Sequence, residues 1–298
     1  MKNLKHQTAD ADNSAAALPD VAYLRSGTKI HPTGKADRLT WLTRQGQKLL
    51  RTLVPSVHQR GRTNARIGLS VEEQTRVCQT VDLGSPANPW TGDYVQRRNR
   101  LIVNLLLATG MRRGELLNLQ IRDLDPRTHT IRILRRADDS QDPRRIQPNV
   151  KTYAREIKLM PAISRELLRY IDVERHAIKA ARRYPQIFVS DAGAPLSLSS
   201  IDKIFKQLRA ACPGLPVALT SHVMRHTWNE RFSEIAEKMG LSEVEEQRAR
   251  ANQQGWSETS DTAAIYTRRY AERKGREAAL RLQEKLEDID EKPKTPDG

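Results

Sequence analysis

Apolar residues recur at helical spacing along most of the chain, whereas a few short stretches alternate or run together as in strands. Apolar side chains at every third or fourth position indicate a helix that buries one face. Residues 1 to about 35 show little periodicity and are rich in small and polar residues, which is typical of a mobile arm. Residues 35–54 then predict one basic helix, with leucines at near-helical spacing: Leu39, Leu42, Leu49, Leu50 and Leu53.

A new domain is predicted to begin near Gly68. Ser70 followed by Glu73 forms the pattern of a capping box, which marks a helix start. A strongly apolar helix is then expected to end near Thr109, since Gly110 is typical of a helix carboxyl end. A second, short helix is expected over residues 113–119.

Two strand-like runs, residues 129–134 and 155–161, predict an antiparallel hairpin with a long loop between them. A helix is expected over residues 162–182 and a short buried strand over residues 186–190, with helices and short breaks to about residue 286. The predicted fold is mainly α with a small antiparallel β-sheet, an α+β protein. The predicted domains are a basic region over 1–67, a catalytic domain over 68–285 that ends in a tail helix, and a charged flexible terminus over 286–298.

The charge of the chain indicates a polyanionic partner. The formal net charge is +15, and residues 1–67 alone hold 12 Lys and Arg against 4 Asp and Glu. A surplus on this scale is the electrostatic footprint of nucleic-acid binding. A generally basic surface without such a partner is the alternative. An anionic membrane is disfavoured because no strongly amphipathic basic helix with large apolar residues occurs.

The rest of the composition narrows the class of protein. No apolar run approaches the roughly 18 residues of a membrane span, and the amino terminus lacks a secretory pattern, so a cytoplasmic location is expected. Cys78 and Cys212 show neither disulfide-framework nor zinc-site spacing, and both are expected to be buried, reduced thiols.

The stretch "SHVMRHTW", residues 221–228, carries the most unusual chemistry. On a helix, His222, Arg225 and His226 stand at positions i, i+3 and i+4 and share one face. Two imidazoles next to a guanidinium repel one another when protonated, and the helix gains no stability from that crowding. The cluster therefore favours an anionic ligand.

Three segments together resemble the tyrosine recombinases, the phage-integrase family. "ATGMRRGELLNLQIRDLD" (residues 108–125) is similar to the family's first arginine box, and "SHVMRHTW" is similar to its HxLRHT box. "QGWSETSDTAAIYTRRY" (residues 254–270) is similar to the closing box that carries the nucleophile. The resemblance covers about residues 68–285, and it implies the DNA breaking and rejoining catalytic fold of that family.

The resemblance implies a nucleophile and its activating groups. Tyr266 would attack a DNA phosphorus and form a 3'-phosphotyrosyl ester, and His222 would accept the phenol proton. Arg112 and Arg225 would hold the phosphate oxygens with charge-assisted hydrogen bonds.

The remaining roles carry alternatives. Lys151 on the hairpin loop would protonate the leaving 5' oxygen, with Lys158 and nearby arginines as competitors. Trp256 stands where the family more often has histidine, and its indole N–H can donate to a phosphate oxygen or serve for packing alone. Tyr270, one helical turn after Tyr266, is the competing nucleophile, and His226 is expected to be buried support. No cofactor and no metal are expected.

The implied function is site-specific cleavage and rejoining of double-stranded DNA, without metal or ATP, with four subunits around two duplexes and possible accessory DNA-bending proteins. The implied setting is bacterial or phage-type and nucleoid-associated. Residues 1–67 are too few for the family's usual core-binding domain. The alternatives are a topoisomerase of type IB that relaxes DNA without partner exchange, and a catalytically silent DNA-binding regulator on the same fold.

Overall fold

The computed structural model describes residues 68–290, except 137–138, 141, 151, 217–218 and 258–259, and side chains as far as residue 284. The predicted arm and basic helix before residue 68 lie outside the described residues. So do Lys151 and residues 291–298.

The first three helices follow their sequence signals. Helix α1, Val71–Thr80, begins at Ser70 with the predicted capping box, in which the Ser70 hydroxyl accepts a hydrogen bond from the Glu73 amide at 3.1 Å. Helix α2, Asp93–Thr109, ends at Gly110, and α3 is the five-residue helix Arg113–Leu117. The predicted break between two helices at Gly110 is confirmed.

A small antiparallel sheet follows α3. A 3-10 turn, Ile121–Asp123, leads into β1, Leu124–Asp125; β2 spans Thr130–Ile133 and β3 spans Arg155–Lys158. The strand order is β1-β2-β3 with both pairs antiparallel, so the predicted hairpin is present. Strand β1 was not predicted, because two residues are too few for an alternating pattern.

The helix predicted over residues 162–182 is interrupted. Helix α4 spans Pro161–Arg169, widens into a π-helical segment, Tyr170–Arg175, and is followed by a separate 3-10 turn, Lys179–Arg183. The buried Arg175 guanidinium donates to the carbonyls of Gln186, Ala181 and Tyr184 at 3.0, 2.9 and 2.6 Å. These bonds fold the following chain back onto the helix end, which apolar periodicity does not reveal.

The segment 186–190 is buried but is not a strand of the sheet. Ile187, Phe188 and Val189 are buried, and the segment pairs only through isolated bridges between Gln120 and Gln186 and between Val189 and Pro195. The strand prediction is therefore wrong, because a short apolar run looks the same whether it joins a sheet or simply crosses the core.

The carboxyl-terminal part is helical, as predicted. Helix α5 spans Leu198–Ala211, α6 Ser221–Lys238, α7 Glu243–Gln254 and α8 Asp261–Asp290. Helix α6 packs against α2, and α8 packs against both α6 and α7. The last helix continues past the predicted boundary at residue 285.

The two cysteines differ in environment. Cys212 is buried, but Cys78 is exposed, so the prediction that both are buried is wrong for Cys78. Its neighbour Val77 is fully buried, and consecutive residues of a helix point about 100° apart, which turns Cys78 outward.

Candidate active site

The first site residue, Arg112, is placed by a helix break that requires glycine. Gly110 has φ of +62°, and a Cβ there would lie 2.8 Å from Cγ of Trp228. The chain can therefore turn tightly between α2 and α3, and Arg112 becomes the residue that caps α3. About one third of the Arg112 side chain, 35%, remains exposed.

A carboxylate cluster lies directly behind Arg112 and consists of Glu115, Thr152 and Arg155. Glu115 accepts the Arg112 amide at 2.8 Å, and Nη2 and Nη1 of Arg155 at 2.9 and 3.2 Å. It also accepts the hydroxyl of Thr152. Burial raises the pKa of Glu115, but the hydrogen bonds and charge of Arg155, with Thr152 and the amide, bring it below its ordinary value. Glu115 is therefore a buried carboxylate that stays ionised and fixes the cap.

Arg225 reaches the same break from α6. Its side chain is buried, and its Nη1 donates to the Gly110 carbonyl at 2.6 Å. Its guanidinium carbon lies 5.1 Å from the centre of the Trp256 ring, within the range of a cation–π contact. Burial, followed by the charge of Arg112, lowers the pKa of Arg225 to about 9. Two cationic side chains are thus held close together at one place.

Tyr266 enters from α8 and meets an imidazole. Its hydroxyl lies 2.8 Å from Nδ1 of His226, and its ring stacks on Trp256 with centroids 5.9 Å apart and planes at 5°. Burial raises the pKa of Tyr266, and the charges of Arg225, Arg269 and Arg250 oppose that rise. The phenol is therefore protonated near neutrality and hydrogen-bonded to a group that can take its proton.

Three buried N–H donors at this place have no hydrogen-bond partner among the described residues: Nη1 of Arg112, Nη2 of Arg225 and Nε1 of Trp256. Nη1 of Arg112 lies 3.6 Å from Oε1 of Glu115, beyond hydrogen-bonding distance. Buried polar groups are normally paired, so an unfilled set of donors calls for an acceptor. Together with His226 and Tyr266, the three residues form what is called here the anion cluster. It can hold an oxyanion next to a phenol.

The structure thus brings together four of the six predicted site residues, Arg112, Arg225, Trp256 and Tyr266, and places His222 differently. His222 is exposed on α6, with its ring 5.2 Å from the ring of His226. The imidazole that meets the phenol is that of His226, which was expected to be buried support. The sequence pattern could not decide between two histidines one helical turn apart. Lys151 falls outside the described residues.

The sequence carries no indication of one group that lies next to Tyr266. Arg250 of α7 lies with its guanidinium carbon 5.5 Å from the centre of the Tyr266 ring. It stands four residues after Glu246, and in sequence such a pair resembles a solvated ion pair on a helix surface. No signal in the chain alone separates that case from a buried pair.

The described residues contain neither a membrane-spanning helix nor a cluster of metal ligands. None of their helices is both long and apolar enough to cross a membrane. Among the same residues, no three or more His, Cys, Asp or Glu side chains stand together as metal ligands.

Comparison with known proteins yields a family match and distant relatives. The model of the phage integrase family matches residues 89–273. Tyrosine recombinase XerD of Staphylococcus aureus (strain N315) is 26% identical over 183 residues, which are 59% of this chain and 54% of XerD. Tyrosine recombinase XerS of Lactococcus lactis subsp. cremoris (strain MG1363) is 26% identical over 140 residues, which are 46% of this chain and 35% of XerS. The chain spans about half the length of XerD.

Solved structures share the fold at low identity. The XerH site-specific recombinase bound to palindromic difH substrate, in its post-cleavage complex, has a TM-score of 0.52 and 20% identity, covering 75% of this chain and 56% of XerH. The Tn1549 transposon integrase in complex with a circular intermediate DNA has a TM-score of 0.50 and 19% identity, covering 79% of this chain and 71% of that one. The family match extends over more than half of the residues, and the folds agree. The chain therefore belongs to the phage integrase family, the tyrosine recombinases.

Proposed function

We propose that the chain cleaves and rejoins double-stranded DNA at specific sites through a phosphotyrosyl intermediate. One observation carries the proposal: the phenol of Tyr266 lies in the same cluster as three buried N–H donors without partners among the described residues. A phosphodiester brings non-bridging oxygens for those donors and a phosphorus for the phenol. The net charge of +15 supports DNA as the source of that phosphate.

The proposed first step is an in-line displacement at phosphorus. A bond forms between Oη of Tyr266 and the phosphorus, and the bond from phosphorus to the 5' oxygen breaks. The phenol proton passes to Nδ1 of His226, which lies 2.8 Å away, and the DNA retains a 3'-phosphotyrosyl ester. Negative charge that develops on the non-bridging oxygens is stabilised by Arg112, Arg225 and the indole N–H of Trp256.

The second step reverses the first on a new strand. The 5' hydroxyl of the incoming strand attacks the phosphotyrosine and passes its proton to the group that protonated the first leaving oxygen. The phenolate leaves and recovers its proton from His226, and a phosphodiester forms. The energy of the broken bond is conserved in the ester, so rejoining consumes no ATP. The same balance requires a proton for the 5' oxygen that leaves in the first step, and Lys151 remains the proposed donor.

The two histidines receive separate roles in this proposal. The contact at 2.8 Å favours His226 as the acceptor of the phenol proton, in place of His222. His222 is exposed at the start of α6, where we propose that it faces the bound DNA. A His222→Gln variant should weaken the reaction less than His226→Gln if this division is correct.

Assembly on DNA is proposed to involve the tail of α8. Leu282 is 65% exposed, and Ala278, four residues before it on the same face of the helix, is also exposed. We propose that they dock on a neighbouring protomer when four subunits hold two duplexes at the bacterial nucleoid, with or without DNA-bending proteins. A tail deletion that left DNA-dependent assembly unchanged would contradict that role.

A nicked suicide substrate tests the proposed function. In randomly nicked genomic DNA, some nicks lie just beyond a cleavage site, and the short strand that carries the 5' hydroxyl dissociates after cleavage. Rejoining is then impossible, so a wild-type protein that cleaves this DNA stays covalently attached to a 3' phosphate. Tyr266→Phe should form no adduct. Tyr270→Phe is the matched control, because Tyr270 lies one helical turn later and donates its hydroxyl to Glu237, away from the cluster.

The possible outcomes distinguish a wrongly assigned nucleophile from a wrongly assigned reaction. An adduct with Tyr266→Phe would show that the nucleophile is assigned wrongly, and no adduct with wild type would refute the strand transfer. Relaxation of plasmid without site preference would instead indicate a topoisomerase. Sequencing the trapped ends identifies the DNA site.

A further inference from the structure

Arg250 is a fully buried arginine beside the nucleophile. It lies on α7, six residues before Trp256, and its side chain has 0% exposure. A guanidinium loses much hydration free energy when it is removed from water, so a charge at this depth needs an explanation.

Three side chains and a carbonyl hold the guanidinium in one orientation. Nη1 donates to the Asn229 carbonyl at 2.6 Å and to its side-chain oxygen at 3.2 Å. Nη2 donates to the Ser233 hydroxyl at 2.6 Å and forms an ion pair with Glu246. Ser233 also donates to Glu246 at 2.7 Å. The contacts come from both α6 and α7, so the group cannot rotate without breaking several bonds.

The held guanidinium faces two aromatic rings. Its carbon lies 5.0 Å from the centre of the Phe232 ring and 5.5 Å from the centre of the Tyr266 ring. Both distances lie within the roughly 6 Å range of cation–π attraction, which is strongest where water is excluded. The ring of the nucleophile thus rests against a fixed, buried cation.

Other charged groups also face the phenol. Helix α6 contributes Arg225, His226 and Glu230, and α8 itself contributes Arg269, whose guanidinium carbon lies 5.9 Å from the ring centre. Arg225 is committed to Gly110 and the anion cluster, and Arg269 is half-buried. Arg250 differs from Arg225 because both its terminal nitrogens have partners among the described residues, and from Arg269 because it is fully shielded from solvent.

We propose that Arg250 is a positioning residue for the nucleophile, with its locked guanidinium forming a charged wall that orients the ring of Tyr266 and favours the phenolate formed as its proton leaves. The proposal rests on the proposed function, since it needs Tyr266 to be the attacking group. If Arg250 had only a structural role, a folded variant without it would leave the titration of Tyr266 unchanged. Replacing a buried ion pair with apolar or neutral groups of similar shape is often neutral for stability.

The test uses the full chain with the whole ion pair altered. Arg250→Met combined with Glu246→Gln removes both charges and leaves no orphaned carboxylate. Arg250→Lys keeps the positive charge. Arg175→Met is the matched control for loss of a buried arginine, since Arg175 is 3% exposed and bonds to carbonyls far along the chain from Tyr266. Thermal unfolding and an amide NMR spectrum report whether each variant is folded.

The deciding measurement needs no DNA. Protein labelled with carbon-13 at the tyrosine ζ position is titrated by NMR, and the signal of Tyr266 is identified by its loss in Tyr266→Phe. The double variant should titrate at a pH higher by about one unit: of the two charges removed, that of Arg250 faces the ring of Tyr266 and lowers its pKa, whereas Glu246 contacts the guanidinium. Arg250→Lys should remain close to wild type, as should Arg175→Met.

Adduct formation provides the second measurement. At pH 8 the double variant should react about tenfold more slowly with KM for DNA unchanged, as expected for a group that acts on the nucleophile and not on DNA binding. A folded double variant whose Tyr266 titrates like wild type overturns the proposal, whatever its rate. If wild type forms no adduct, the proposed function fails, but the titration still decides the placement of Arg250.

Discussion

The carboxylate cluster and the anion cluster adjoin each other, yet they use their arginines in opposite ways. Arg155 donates to Glu115 through both terminal nitrogens and to the Gln253 carbonyl through Nε at 2.7 Å. Among the described residues, Arg225 has one hydrogen bond, to the Gly110 carbonyl, and its Nη2 has no partner. A buried arginine with its donors filled holds the fold together. One with donors left open is ready for a ligand.

The largest effect on the reaction rate should come from a substitution in the anion cluster, where Arg225 has an open donor. Arg225→Lys keeps a cation, but a single ammonium cannot bond the Gly110 carbonyl and also present a planar pair of donors to a phosphate. We expect adduct formation to slow by about 10²- to 10³-fold, the usual loss for one donor to a developing oxyanion. Single-turnover kinetics on the trapped DNA site measure the rate.

Arg113→Lys is the control for Arg225→Lys. Arg113→Lys alters an arginine whose partner, Asp202, is an exposed carboxylate at the surface, and its rate should stay within about twofold. Equal slowing in both variants would mean that the loss is not specific to Arg225 and its open donors.

In the carboxylate cluster, where the donors of Arg155 are filled, a substitution should lower the stability of the fold. Glu115→Gln leaves Arg155 buried next to a neutral group, and we expect the free energy of unfolding to fall by about 3 kcal/mol. Urea denaturation followed by circular dichroism measures it. Asp202→Asn, which removes an exposed partner of Arg113, should cost less than about 0.5 kcal/mol.

The same carboxylate predicts a pH dependence of stability. The pKa of Glu115 is lower in the folded protein than its ordinary value, so its ionised form stabilises the fold. That contribution is present above the ordinary carboxyl range and is lost as the pH falls through the folded value. Wild type should therefore lose more stability than Glu115→Gln on acidification from pH 6. Parallel curves would show that Glu115 does not contribute in this way.

Arg225 of the anion cluster predicts a pH dependence of the reaction rate. Because the pKa of Arg225 is lowered to about 9, the free protein loses this cation in the alkaline range. The value of kcat/KM for adduct formation should fall by about tenfold per pH unit above that point, since this ratio reports groups of the free enzyme. Circular dichroism at each pH excludes unfolding, and a flat profile to pH 10.5 would contradict the assignment.

The smallest effect should come from the indole donor. Trp256→Phe keeps an aromatic ring to stack on Tyr266 but removes the unpaired N–H, and we expect about a five- to tenfold slower reaction. Trp228→Phe is its matched control, because the Trp228 indole donates to the Ala108 carbonyl at 3.1 Å. A loss in the control as large as that in Trp256→Phe would attribute the effect to packing.

The sequence predicts helix ends well where local signals are strong. Gly110 and the capping box at Ser70 mark their helix ends through backbone chemistry that depends on few residues. Contacts between distant elements were harder. Which of two histidines meets Tyr266, and whether Arg250 points inward, depend on how α6, α7 and α8 pack, and the same sequence pattern fits either answer. The exposed Cys78 and the interrupted helix after Arg169 also depend on packing between elements, which the sequence pattern does not reveal.

Arg225 binds the carboxyl end of a helix. The carbonyl that it binds, that of Gly110, ends a helix of 17 residues, where aligned peptide dipoles leave a partial negative charge. The guanidinium is therefore aimed by a dipole, and a dipole does not cancel its full positive charge as a carboxylate would. Among the described residues no carboxylate forms an ion pair with Arg225, so under the proposed function a phosphate would meet an arginine that is already oriented and keeps its charge.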